Sequence, residues 1–336
     1  MVEDYSYYSE IQNIEFYVLG SEENFIDSSV SVTNKELFKG DLPVNNGVYA
    51  PNMGTTSYDW NCSSCFLGKG FCSSHSGSID LRFPVKSPLF RESILKWLKI
   101  ICFSCGRLLI NKDINVASSR LLIEYVKLAK GVDKCPHSDC GAIHPNISKD
   151  KFEQNTFYAE YKSGNFTKKE ELYNHLIREI FGRISNETVR KMQKSENSHP
   201  KNFILDIIRV APNAIRPDIR KVGGSRSNNS DITALTKNIV EINELLPLEI
   251  PDLNEISKEL REMYFNLDIT YYEMIKGSSA TNNQVRLVTA TNKVPSSIAS
   301  RIPKKTGRVR RNLLGKRTRY MLRSVNGYGR QQVTAL

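Results

Sequence analysis

Cys62-Ser63-Ser64-Cys65-Phe66-Leu67-Gly68-Lys69-Gly70-Phe71-Cys72-Ser73-Ser74-His75 decides how this chain is read, because four soft ligand side chains fall within two short knuckles. Two further pairs follow, Cys102-x2-Cys105 and, 29 residues on, Cys135-x4-Cys140. With His75, the seven cysteines of the chain make eight ligands in four close pairs, the stoichiometry of two closed tetrahedral zinc sites with no thiol left over. A Cys-x2-Cys turn lets two thiolates converge on one ion at about 2.3 Å, which residues scattered along a helix face or a flat strand cannot do. Gly68, Gly70, Gly77, Gly106 and Gly141 sit where the tight turns are needed. The competing reading, cysteines as small buried apolar residues, leaves the four-pair regularity without a cause. A closed set of four ligands has no vacant position, so both ions are expected to be structural. His137 and His144 flank the last pair and are spare to a complete cysteine set; His175 and His199 are read as ordinary residues in polar helical or loop surroundings. Spacing alone leaves open whether consecutive pairs share an ion or interleave in a cross-brace.

The 336 residues are 40% hydrophobic and 25% charged, enough for two or three domains with real cores, which excludes full disorder. No window approaches the roughly 18 uncharged apolar residues of a bilayer span, and the opening Met-Val-Glu-Asp is acidic where a secretory signal is basic. A non-secreted protein without a membrane partner is expected, and its thiols are then free for metal.

The net charge of +11 is one-sided: residues 274–336 hold 14 Lys and Arg and no Asp or Glu, leaving 33 basic against 36 acidic residues in 1–273. Arg301, Lys304, Lys305, Arg308, Arg310, Arg311, Lys316, Arg317, Arg319 and Arg323 crowd one segment and repel one another unless a polyanion lies across them. Such a run can also be a solvated basic face or a localisation tract. Here Ile302, Val309, Leu313, Leu314, Tyr320, Met321, Leu322 and Val325 interleave with the charges, so a segment anchored to a core is expected. Arg presents a fork that fits phosphate oxygens, and nothing in the pattern reads bases; backbone contact with strong salt dependence follows.

Periodicity places the remaining elements. Residues 1–60 read as irregular, with a strand-like run at Ile14–Val18, and Ile79–Val85 alternates like a strand. Leu89, Ile94, Leu95, Leu98 and Ile101 have helical spacing and deliver Cys102 and Cys105. Ser118 and Ser119 open a helix that Gly131 closes, Thr167-Lys168-Lys169-Glu170 is a capping box ahead of a helix of about four turns, and a further helix follows Ser185. Asp231 caps a helix through Leu246, and Leu253 to Tyr271 repeat along a longer one. Residues 277–300 read as a loop.

Taken together, these features resemble in order the N-terminal clamp core of the largest subunit of multisubunit DNA-directed RNA polymerases. Ala50-Pro51-Asn52-Met53-Gly54 stands where that family has an Asp-Pro-Arg-Leu-Gly turn, and Cys62 to Gly77 looks like its first clamp zinc site. Cys102-x2-Cys105-Gly106-x-Leu108-Leu109 resembles its next knuckle, which the family closes with the pair corresponding to Cys135 and Cys140. Pro212-x2-Ile215-Arg216-Pro217 is similar to its Val-Arg-Pro stretch, and Ser230-Asp231-Ile232-Thr233 to its Asp-Asp-Leu-Thr helix start. Lys305-x-Gly307-Arg308-Val309-Arg310-x-Asn312-Leu313-Leu314-Gly315-Lys316-Arg317 looks like the family's switch segment beside template DNA, and Arg323-Ser324-Val325 like its continuation. The match runs colinearly over roughly 45–325, and Met53-Gly54-Thr55-Thr56, the Cys-x4-Cys pair and Thr306 point to the divergent polymerases of large cytoplasmic DNA viruses, the asfarvirus kind.

What the resemblance implies is an α+β fold: an elongated multi-part clamp with two zinc knuckle sites, a mainly helical second half and a basic switch-like end. The expected divisions are a zinc-binding head over 1–150, a helical core over 151–275 with a lid-like loop near 221–230, and 276–336 with a rudder-like loop near 278–295. Nucleic-acid contacts are expected from Lys304, Lys305, Arg308, Arg310, Arg311, Lys316, Arg317 and Arg323. Implied partners are template DNA, the RNA–DNA hybrid, the rest of the largest subunit, the second-largest subunit and other polymerase subunits, in host cytoplasm and the virion. The 336 residues contain no Asp-x-Asp-x-Asp, the carboxylate set that holds Mg2+ in this family, so Mg2+ and nucleotidyl transfer are expected only of the complete polymerase. Asn326–Leu336 leaves the family pattern, as expected of a split gene, a truncated product or an exon boundary. The rival from another class is a stand-alone zinc-knuckle module, nucleic-acid-binding or ubiquitin-ligase-like; the ligase reading demands interleaved knuckles.

Overall fold

A computed structural model describes residues 11–12, 14, 16–40, 42–112, 114, 116–150, 156–163, 166–192, 194, 196–217, 219–220, 227–251, 256–277, 296–303, 305 and 307–315. In chain order, helix α1 (Ser21–Ile26) leads into strand β1 (Ser28–Ser31), and a two-rung hairpin of β2 (Phe38–Lys39) and β3 (Leu42–Pro43) follows. The long strand β4 (Ser76–Lys86) then lies parallel to β1 and is succeeded by α2 (Arg91–Leu98) and α3 (Ser118–Leu128). An antiparallel sheet comes next: β5 (Asn146–Lys149), β6 (Phe157–Ser163) and β7 (Phe166–Leu172). Beyond it lie α4 (Asn174–Gly182), α5 (Asn186–Lys191) and β8 (Ile204–Val210), which returns antiparallel to β4. A short pair of β9 (Ile219–Arg220) and β10 (Ser227–Asn228) precedes the helices α6 (Asp231–Leu245) and α7 (Lys258–Ile275). The fold is mixed α+β with a helical C-terminal part. Among the described residues no helix is long and apolar enough to cross a membrane.

Two apolar clusters organise these elements. In the first, Ile94, Trp97 and Leu98 of α2 meet Leu121 and Tyr125 of α3, Phe157 and Ala159 of β6, and Ile177, Ile180 and Phe181 of α4. In the second, Ile79, Leu81, Phe83 and Val85 of β4 and Ile208 and Val210 of β8 are covered by Ile232, Leu235 and Ile239 of α6 and Tyr264, Leu267 and Tyr271 of α7. Phe83 stacks on Tyr264 with ring centroids 3.7 Å apart. Where the clusters adjoin, Lys86 is 6% exposed, and its ammonium lies 3.4 Å from Asp268 of α7 and 2.5 Å from Oδ1 of Asn174 of α4. Burial lowers the Lys86 pKa, and the Asp268 carboxylate opposes that shift.

Several expectations are corrected by tertiary contacts. Thr167–Glu170 does not cap a helix; it lies in β7, paired with β6 from Phe157↔Leu172 to Ser163↔Phe166, and the helix begins only at Asn174 and ends at Gly182. A capping box is worth about 1 kcal/mol, which a continuous strand ladder outweighs. Ser118 and Ser119 are inside α3, whose N-cap is Ala117, without a side-chain hydrogen bond. Asp231 does not cap α6; Ser230 is the N-cap residue, and Asp231 Oδ2 instead accepts from the amide of Ser296. No strand forms at the described residues of Ile14–Val18. His199 is buried, not set in polar surroundings: Nε2 meets the carbonyl of Ile184 at 2.9 Å, and Nδ1 accepts from the amide of Lys201. His175 packs on Phe83 and Tyr173. The Ser185 cap of α5 is observed, its hydroxyl accepting from the amide of Thr188.

Candidate metal centres and nucleic-acid interface

The first ligand set is built on the turn ahead of it. Pro51–Met53 forms a short 3₁₀ turn whose carbonyls face the knuckle: the amide of Ser63 donates to Pro51, the hydroxyl of Ser64 to Asn52 and the amide of His75 to Met53. Cys62, Cys65, Cys72 and His75 then bring their ligand atoms within 4.8 Å of one another. Cys102, Cys105, Cys135 and Cys140 do the same. The first of these pairs leaves the end of α2, and the second pair follows the far end of α3, so that helix spans the gap and returns the chain. Each set is formed by consecutive knuckles. The interleaving that a cross-braced ligase needs does not occur.

Both sets fit a dication on their own geometry. Cys102 and Cys140 sulfurs are 3.6 Å apart and Cys105 and Cys135 sulfurs 3.8 Å, close to the separation of about 3.8 Å that two thiolates adopt on one tetrahedral ion. Cys65 and Cys72 are 3.4 Å apart, and His75 Nε2 is buried with no hydrogen-bond partner. Without a counter-ion the thiols of one set cannot all ionise. Burial pushes Cys135 up to about 12, while the amide of Ala142 brings Cys140 down to about 7. Burial also raises Cys72 and Cys102; at Cys62 it is outweighed by the amides of Cys65 and Ser64, and that thiol is lowered. A bound dication removes this conflict by favouring every thiolate at once.

The turns explain the glycines. Gly106 and Gly141, each following the second cysteine of its knuckle, have φ of 69° and 56°; Phe66, in the same place after Cys65, has φ of 60°. A Cβ on Gly106 would overlap the carbonyl of Arg183. The second set also has polar neighbours that spacing did not reveal. Arg107 pairs with Asp139 at 2.5 Å and hydrogen-bonds Cys105, tying one knuckle to the other, and His137 Nδ1 lies 3.2 Å from the Cys135 sulfur. His137 therefore supports a ligand instead of replacing one. Burial takes His144 down to about 4, with its ring edge on Phe103.

Of the cations expected to contact nucleic acid, Lys305, Arg308, Arg310 and Arg311 are exposed, the last two on a wide helical turn, Val309–Leu313. Arg308 reaches Asn312 Oδ1 at 3.3 Å. Lys304, Lys316, Arg317 and Arg323 lie outside the described residues, as do 221–226 of the lid-like loop and all of 278–295. Among the described residues the expected anchoring of the interleaved apolar side chains is not found: Ile302, Val309, Leu313 and Leu314 are 41–80% exposed, and Tyr320, Met321, Leu322 and Val325 lie outside the described residues. The segment is fastened upstream, at Arg301, whose guanidinium donates to the carbonyl of Ile215 and to Ser230 Oγ. Arg216 and Asn213, fully buried, were legible only as part of a Pro-rich stretch; their side chains donate to the carbonyls of Val48, Ala50 and Gly54.

The chain is 30% identical over 322 residues to the DNA-directed RNA polymerase RPB1 homolog of African swine fever virus (isolate Warthog/Namibia/Wart80/1980), covering 92% of this chain and 22% of that protein. It is 27% identical over 332 residues to DNA-directed RNA polymerase subunit Rpo1N of Methanothermobacter thermautotrophicus, covering 94% of this chain and 36% of that subunit. A 26% identity to DNA-directed RNA polymerase II subunit RPB1 of Euplotoides octocarinatus covers 95% and 70%. The chain thus spans about a fifth of the length of the viral relatives it matches. The family described as RNA polymerase Rpb1, domain 1 matches residues 8–313, and the chain belongs to that family.

Proposed function

We propose that this chain is the clamp-core portion of the largest subunit of a DNA-directed RNA polymerase of viral type, working in host cytoplasm. Its two ligand sets hold structural Zn2+ that stiffens the knuckles, and Lys304, Lys305, Arg308, Arg310, Arg311, Lys316, Arg317 and Arg323 grip the template backbone beside the RNA–DNA hybrid. The observation that carries the reading is the colinear family match ending in an exposed run of cations with no acid after Glu273. When bound, zinc supplies cross-links between sequence-distant turns and no chemistry. The residues of this chain act by position: the rigid knuckles and the β4–β8 sheet hold the segment's origin, and the guanidinium forks meet phosphate oxygens. The rest of the largest subunit, the second-largest subunit and further subunits are the assembly partners, and the Mg2+ chemistry belongs to the complete enzyme.

Changing Arg308, Arg310 and Arg311 together to Gln in the full chain tests this. Affinity for an oligonucleotide duplex should fall at low salt, and the slope of log affinity against log salt should drop by about two to three. An unchanged slope rejects the phosphate role.

A further inference from the structure

Arg301 begins the basic run in sequence but does not behave as part of it in space. Its guanidinium is only partly exposed, and both outer nitrogens are engaged: Nη1 donates to the carbonyl of Ile215 at 2.6 Å and Nη2 to Ser230 Oγ at 3.1 Å. The exposed cations downstream, from Lys305 to Arg311, point no such network back into the fold. Arg301 closes the short turn Ala299–Arg301, which two further bonds pin to the helical pair: the amide of Ser296 to Asp231 Oδ2 of α6 at 2.8 Å, and the amide of Ile298 to the carbonyl of Met274 of α7 at 3.0 Å.

The carbonyl it holds belongs to a second turn, Asn213–Ile215, which is itself wedged beneath the first ligand set. Asn213 Nδ2 donates to the carbonyls of Ala50 (3.0 Å) and Gly54 (2.8 Å), bracketing the Pro51–Met53 turn from both ends. Arg216 Nη2 donates to the carbonyl of Val48 at 2.6 Å, with Asn213 Oδ1 at 3.3 Å, and its Nε donates to the carbonyl of Ala211 at 2.7 Å. No carboxylate among the described residues neutralises this fully buried cation; it is held by carbonyl dipoles and by the face of Tyr49, 5.7 Å away. The carbonyls of Pro51, Asn52 and Met53 in turn receive donors from Ser63, Ser64 and His75. Hydrogen bonds joined by short stretches of backbone therefore lead from His75 and the Cys62 knuckle through 50–54 and the Asn213–Arg216 turn to Ile215, and from Ile215 through Arg301 to the start of the basic segment and the N-cap of α6.

We infer that Arg301 is a positioning residue, a latch that fastens the root of the basic segment to the seat of the first ligand set, so that the state of that set governs how firmly residues 296–302 are held. Presenting this guanidinium to a phosphate would release both of its partners, so it does not serve as a backbone contact. The mechanical part stands without any nucleic acid; the binding arm of the test rests on the function proposed above.

Two variants of the zinc-loaded full chain separate the possibilities. Arg301→Gln should speed amide hydrogen exchange at Ile298, Arg301 and Ile302 by about tenfold, with Arg301→Lys intermediate and the Cys102–Cys140 knuckles unchanged. His75→Ala should speed the same amides, whereas Cys140→Ser should not. In duplex binding, Arg301→Gln should weaken affinity a few-fold with the salt slope unchanged, while Arg310→Gln lowers the slope by about one. A slope lowered by about one in Arg301→Gln, or exchange at 298–302 that does not respond to it, overturns the latch. Equal responses to lesions in either ligand set overturn the link to the first. If the wild-type chain fails to bind duplex, the functional reading fails and the exchange result still decides the latch.

Discussion

At the residue scale, left-handed backbone and buried charge decide what each position tolerates. Gly106 combines φ of 69° with the carbonyl of Arg183 where a Cβ would stand, so Gly106→Ala should open its knuckle. Metal analysis should then return about one zinc per chain instead of two. Phe66 occupies the equivalent place in the first set with its side chain 78% exposed, and Phe66→Gly should retain both ions. Glu273 gives a pH signature away from the metals. It is 5% exposed, its Oε2 has no hydrogen-bond partner, and burial raises its pKa to about 6. Because the folded value lies above the unfolded one, its stabilising contribution is complete below about pH 4.5 and is lost as pH rises through 6. Relative to wild type, Glu273→Gln should therefore gain about 1 kcal/mol between pH 4 and pH 7.5, after allowance for solvent screening, in parallel denaturant melts. A difference that does not vary with pH would mean the carboxyl is not held in this way. The tight turn at Gly106 was legible from a glycine directly after its knuckle; the overlap with Arg183, the left-handed Phe66 and the burial of Glu273 were not, because contact and burial are not written in composition.

Helices and strands that the notation of periodicity treats separately are joined by single polar groups. Lys86 of β4, Asn174 of α4 and Asp268 of α7 meet where the two apolar clusters adjoin, and Asn174 also donates to the carbonyl of Pro84. Asp268→Leu would leave the Lys86 ammonium buried without its counter-charge and should cost about 3–5 kcal/mol in urea unfolding. Adding Lys86→Met should recover most of that loss. A double variant no more stable than the single one would show that the pair is not the source of the cost. The helical stripes of α2, α6 and α7 and the alternation in β4 were legible because their apolar periods are long. The β6–β7 hairpin was not: Thr167–Glu170 matches a capping motif locally, and only pairing with β6 shows that the segment is extended.

For the whole molecule, two ligand sets able to hold a metal ion and the β1–β4–β8 sheet lie upstream of a cationic segment whose described apolar residues Ile302, Val309, Leu313 and Leu314 are exposed. Leu313 and Leu314 are 72% and 80% exposed. Chelation of the full chain should remove about two zinc ions and lower its melting temperature, and restoring zinc should reverse both changes. A metal-free chain that melts at the same temperature would remove the staple role.

The sequence by itself determined the ligand types, the one-sided charge and the colinear order of family motifs, because these reside in covalent spacing and composition, which folding does not alter. Spacing left the sharing of knuckles open and the family resemblance implied consecutive pairs; tertiary structure alone decided that Thr167–Glu170 is strand, and that Arg301 is engaged while Lys305, Arg308, Arg310 and Arg311 are exposed. Each of those outcomes depends on atoms brought together from positions far apart in the chain, Ile215 with Arg301 or Asn213 with Gly54, and local pattern contains no record of such encounters.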